Sequence, residues 1–178
     1  MKKTRNSGLK ITYLEKPETD FLLSTSFDKN HDHYMLFKTL LETGLRISEL
    51  CSLTPNNHKT FERKIFVIGK GNKMRYIDLR PEFSLELATY IKNCKIQKAE
   101  RIFPNTRQSY LWVCKKYMPN LYPHKLRHTY CINLLRTVDN IIYVQRQMGH
   151  KFLDTTAQYL QFKEFNEEKK KLGNLYGI

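Results

Sequence analysis

Four short segments gather side chains that hold phosphate or move protons: TGLRISEL (43–50), GKGNK (69–73), PHKLRH (123–128) and MGHKFLDTTAQY (148–159). Arg46 and Glu49 lie one helical turn apart, as do His124 and Arg127, so each pair shares a face if its segment is helical. His124 follows Pro123, a residue suited to a first turn, where free N–H groups and the helix dipole favour an anion. His124 and His128 have the i, i+4 spacing of metal ligands, but no third ligand lies nearby in sequence. Each feature alone has a plainer reading. Arg46 with Glu49 makes an ordinary solvated pair worth about 0.3–0.5 kcal/mol, the lysines of 69–73 are exposed loop charges, and Arg127 is a phosphate grip in a noncatalytic DNA-binding protein.

The elements that must carry these residues follow from apolar spacing. Tyr34, Leu36, Phe37, Leu40 and Leu41 recur at helical intervals, with Gly44 where a helix stops and a second helix beginning near Arg46. KIFVIG and MRYIDL, between Lys64 and Leu79, are β-prone runs joined by GKGNK, which predicts a hairpin with a lysine-rich tip. Helices are expected over 82–97, with Phe83, Leu87, Tyr90, Ile91 and Cys94 on one stripe, and over 108–118. Pro123 opens a longer one with Leu126, Tyr130 and Leu134 in register. Asp139 is placed to cap the next, which runs to Met148, and two short helices are expected over 154–162 and 163–172. The fold class is therefore mainly α with one small antiparallel β-sheet. Residues 1–9 read as a basic arm, 10–162 as a catalytic domain and 163–178 as a helical tail.

With 178 residues, 40% of them hydrophobic, the chain has the means to bury a core without disulfides. Cys51, Cys94, Cys114 and Cys131 are scattered without a C-x-x-C pair and read as reduced core thiols. Its apolar runs are too short to cross a bilayer, so no membrane partner and a cytoplasmic location are expected. Lys and Arg number 31 against 17 Asp and Glu, a net charge of +14, which draws polyanions at long range and makes nucleic acid the default partner.

Taken together and in order, the four segments resemble the signature of the tyrosine recombinases, the phage-integrase and Xer-like family, over about Lys10 to Phe162. The resemblance implies that Arg46, Lys70, His124, Arg127 and His150 surround a scissile phosphate in double-stranded DNA. Tyr159 would be the nucleophile, and Glu49 would support the first arginine. Lys73, Arg75, Lys125 and Lys151 are the flanking cations expected on the DNA backbone. It further implies self-association on DNA as a synaptic tetramer, with the tail docking in trans, and in most members a separate helical domain ahead of the catalytic one.

The implied chemistry accounts for these residue types. Attack of a phenol on a phosphodiester builds charge on the non-bridging oxygens, which Arg46 and Arg127 would hold with charge-assisted hydrogen bonds. The leaving 5′ oxygen needs a proton, which Lys70 at the hairpin tip would supply. A phenol with pKa near 10 is ionised in only about one molecule in a thousand at neutral pH, so His124 and His150 are expected to assist Tyr159. Side-chain cations serve in place of a metal, and no cofactor is expected. The alternatives are a type IB topoisomerase-like nicking and closing enzyme and a noncatalytic DNA-binding protein of the same fold.

Overall fold

The computed structural model describes residues 11–69, 74–138, 140–149 and Tyr159. The expected arm, the hairpin tip carrying Lys70 and Lys73, His150, Lys151 and the tail all lie outside the described residues.

Asn30 starts the central helix by accepting the His33 amide on its side chain at 2.8 Å. From there α2 (His31–Thr43) buries Met35, Leu36, Phe37 and Leu40 on its inner stripe, and Gly44 ends it in the left-handed conformation at φ 59°. Helix α2 packs between α1 (Lys16–Lys29) and α6 (Pro123–Thr137). The sequence pattern does not announce α1, because it buries only Leu22 and Ser26 and has no continuous apolar stripe. Arg46 stands just ahead of α3 (Ile47–Cys51) rather than inside it, and Glu49 reaches back to the Arg46 amide at 2.8 Å.

The expected hairpin is β2 (Lys64–Ile68) with β3 (Met74–Asp78), antiparallel and in the register Val67 opposite Arg75. A two-residue strand, β1 (His58–Lys59), extends it to a three-stranded sheet ordered β1-β2-β3. His58, in that short strand, is buried, with Nε2 3.0 Å from the Ser84 hydroxyl. Helices α4 (Pro81–Asn93) and α5 (Arg107–Tyr117) fall close to their expected bounds. Cys94 lies just beyond α4 and is exposed, so only Cys114 and Cys131 are fully buried thiols. Helix α7 (Ile141–Met148) is capped by Asn140, whose side chain accepts the Tyr143 amide at 3.0 Å, one residue beyond the expected Asp139.

Buried side chains form two groups. The larger runs from Leu14 through α2, the sheet and α4 to Leu126, and the smaller joins Tyr130, Cys131, Ile132, Leu135, Val144, Met148 and Tyr159. No helix among the described residues is long and apolar enough to cross a membrane.

Candidate active site

Two glycines frame the site. Gly44 ends α2 and Gly149 ends α7, both at φ near 60°, a conformation that costs any other L-residue strain. Each turns its carbonyl toward an arginine. Gly44 accepts from Arg127 Nη1, and Gly149 accepts from Arg46 Nη2 at 3.3 Å. Arg127 Nη2 also donates to the Met148 carbonyl at 2.6 Å. Only 3% of Arg127 is exposed, and two of its five N–H groups serve these carbonyls, which fixes the guanidinium and leaves three donors. Burial lowers its pKa to about 10, with Arg46 adding to the effect and Glu49 opposing it.

Glu49 is the anionic centre. Its two oxygens take a bidentate pair from Arg75, at 2.8 and 2.9 Å, and one of them also takes Arg46 Nη1 at 3.0 Å. Burial works to raise the carboxyl pKa, but the hydrogen bonds and charge of Arg75, joined by those of Arg46, hold it at about 2. The Arg75 side chain is 8% exposed and its Nε donates to the Gln147 carbonyl at 3.1 Å. Arg75, expected on the DNA backbone, thus faces inward against Glu49. A contact 26 residues away in sequence decides this, and local pattern does not reveal it.

Helix α6 carries the histidines. His124 is exposed at its first turn, with Lys125 beside it partly exposed. Together with Arg46, Arg107, Gln108 and Tyr122, His124 lines a cleft of about 330 Å³. One turn on, the His128 ring meets His124 edge-on at 4.6 Å, and its Nδ1 is hydrogen-bonded to the Tyr159 hydroxyl. Tyr159 is 4% exposed. Burial pushes its phenol pKa upward, the charge on Cys131 adds to this and Arg127 opposes it. Burial likewise lowers His128 to about 4, helped by His124 and Arg127, and lowers His124, helped by Arg127 and Arg46.

The structure therefore brings Arg46, Glu49, His124, Arg127 and Tyr159 into one neighbourhood and adds Arg75 and His128. Sequence reasoning weighed His128 only as a metal ligand. Its i, i+4 spacing from His124 was the available signal, since one turn along a helix keeps a residue on the same face. Among the described residues no group of three or more His, Cys, Asp or Glu side chains is placed to hold a metal ion.

Residues 12–164 match the phage integrase family. A tyrosine recombinase of Pseudothermotoga lettingae is 30% identical over 174 residues, covering 86% of this chain and 60% of the relative. Tyrosine recombinase XerC of Bacillus subtilis is 32% identical over 143 residues, covering 70% of this chain and 47% of the relative. The chain thus spans roughly half the length of these curated relatives. Among solved structures, the Tn1549 transposon integrase in complex with a circular intermediate DNA superposes with a TM-score of 0.71 at 27% identity, covering 84% of this chain and 61% of that one.

Proposed function

Because this chain belongs to the phage integrase family, we propose that it cuts and rejoins DNA at specific sites through a 3′-phosphotyrosyl intermediate on Tyr159. The observation that carries the reading is the convergence of a tyrosine hydroxyl, a pre-oriented Arg127 and a cleft-lining Arg46 and His124. Arg46 is the more accessible guanidinium, at 33% exposed, and is the first to meet a phosphate entering the cleft. Arg127 then offers its remaining donors from a fixed position, which suits stabilisation of charge that appears only in the transition state. Lys70 is assigned the proton for the leaving 5′ oxygen, and His124 and His150 flank the phosphate. The energy of the broken bond stays in the phosphotyrosine, so rejoining needs no ATP. Lys125 and Arg107 extend the cationic path along the backbone, with Lys73 and Lys151 as further contacts.

The decisive experiment uses a nicked suicide DNA on which the cleaved product cannot religate. The parent chain is expected to give a covalent adduct on a denaturing gel, and Tyr159→Phe none, with DNA binding kept within about twofold because only one oxygen is removed. An adduct of undiminished yield from the Phe variant overturns the assignment. Lys70→Ala is expected to cleave slowly and to recover on a substrate whose leaving 5′ oxygen is sulfur, which departs without a proton. Recovery by Lys73→Ala instead would transfer the role.

Strand exchange requires more than one protomer, and the proposal includes a tetramer formed on DNA with the 163–178 segment docking in trans. A chain ending at Phe162 is then expected to bind DNA yet lose assembly and exchange, as read by light scattering and a recombination assay. Relaxation of supercoiled plasmid without any exchange by the full chain would instead assign a nicking and closing activity.

A further inference from the structure

We propose that His128 is the proton acceptor for the Tyr159 phenol, the general base of the cleavage step and the general acid of rejoining. The inference rests on Tyr159 being the nucleophile. Its own ground is geometric: the phenol is enclosed, 4% exposed, and its hydroxyl is hydrogen-bonded to Nδ1 of His128. A proton leaving an enclosed hydroxyl has no direct path to bulk water, so an acceptor must be built into the protein. A neutral imidazole with its hydrogen on Nε2 presents a lone pair at Nδ1, and the phenol then donates to it.

The step balances. The bond from Tyr159 Oη to phosphorus forms as the phosphorus to O5′ bond breaks. The phenol proton moves to His128 Nδ1, and the leaving oxygen takes a proton from the Lys70 ammonium. In rejoining the 5′ hydroxyl attacks phosphorus and gives its proton to the now neutral Lys70 amine. The bond from phosphorus to Tyr159 Oη breaks, and His128 returns its proton to the departing phenolate. The groups around His128 make the imidazolium short-lived, since His124 and Arg127 on α6 disfavour its charge, as does burial. An entering phosphate supplies negative charge beside the same cations and eases that penalty while cleavage proceeds. Among the described residues, Cys131 and Arg127 also act on Tyr159.

The test is cleavage rate against pH on the suicide substrate, with the parent, His128→Ala and His128→Asn. Asparagine keeps an oxygen acceptor near the Nδ1 position but cannot take a proton. Both variants are expected to bind DNA normally and to lose on the order of 10²–10⁴ in rate at neutral pH, the usual worth of a positioned base. Their rates should rise tenfold per pH unit as hydroxide takes over. Incorporating a trifluorotyrosine at position 159, which ionises more readily, is expected to restore much of the Asn variant's rate. An Asn variant that cleaves at the parent's rate with the parent's pH profile reduces His128 to a hydrogen-bond partner and overturns the inference. Nitrogen NMR of the imidazole in the parent chain tests the same point without any variant: the Nε2–H form supports it, and the Nδ1–H form, which makes His128 the donor, overturns it. Peptide mapping of the parent adduct separates the two levels. An adduct on another residue removes both the nucleophile and its base, whereas an adduct on Tyr159 with an unimpaired Asn variant removes only the base.

Discussion

Arg75 depends on a single carboxylate. Both its terminal nitrogens lie on Glu49, and the two side chains are 8% and 4% exposed. Removing one partner of such a pair strands the other charge in a poor solvent, which typically costs about 3–5 kcal/mol. Glu49→Ala is therefore expected to lower the melting temperature sharply and to weaken cleavage through Arg46 as well. The pH dependence has a definite sign. Glu49 titrates at about 2 in the fold against 4.5 ordinarily, so it contributes stability that is present above about pH 4.5 and lost as pH falls toward 2. The effect is on the order of 3 kcal/mol. His128 is also depressed, to about 4 from 6.5, and its contribution is present above pH 6.5 and lost as pH falls to about 4. Denaturant melts across pH should resolve two windows, the upper one missing in His128→Asn and the lower one missing in Glu49→Gln. A parent whose stability is flat from pH 7 to 3 would contradict both assignments.

At the scale of elements, the two helix-ending glycines do more than stop their helices. An added Cβ on Gly44 would stand 2.2 Å from the Tyr130 ring, and one on Gly149 2.9 Å from the Arg75 side chain. The left-handed backbone alone costs roughly 1–2 kcal/mol for a residue with a Cβ. Gly44→Ala is expected to cost more than that, because Tyr130 must also give way and move the carbonyl that anchors Arg127. Calorimetry of the variant checks this, and an unchanged melting temperature would refute it. Gly44 was legible in the sequence because a helix end is a local event, and so were the hairpin and the α6 start at Pro123. What stayed hidden is non-local. Helix α1 gains its place from contacts with α2 and α5. His58 is inside because Ser84 waits 26 residues later, and Tyr159 meets a histidine 31 residues before it. Spacing rules see one element at a time, so residue types at the site could be read while their pairing could not.

Across the whole molecule, on the proposed reading the +14 charge would set how the chain meets DNA. Binding driven by counterion release weakens steeply with salt, and six to ten phosphate contacts lose about 10³–10⁵ in affinity between 50 and 200 mM. Titrations over that range are expected to give a linear log–log plot of strongly negative slope. A salt-independent affinity would point away from backbone recognition.

The division of the interior into two groups of side chains bears on when chemistry can begin. Tyr159 belongs to the smaller one, with Val144 and Met148 of α7 and Cys131 and Leu135 of α6, while α2 and the sheet are held by the larger. Proteins open in cooperative pieces, and a piece with little apolar burial opens at a lower free energy than the whole. Helix α7 and the phenol should therefore form one such piece. Its amides are expected to exchange with deuterium well before those of α2, and nitration of Tyr159 should follow the same opening rate. Such an opening also gives up the Met148 and Gly149 carbonyls that α7 lends to Arg127 and Arg46. On the proposed reading the tyrosine and its arginine frame would thus be lost and re-formed together, and binding energy from DNA would favour the closed state.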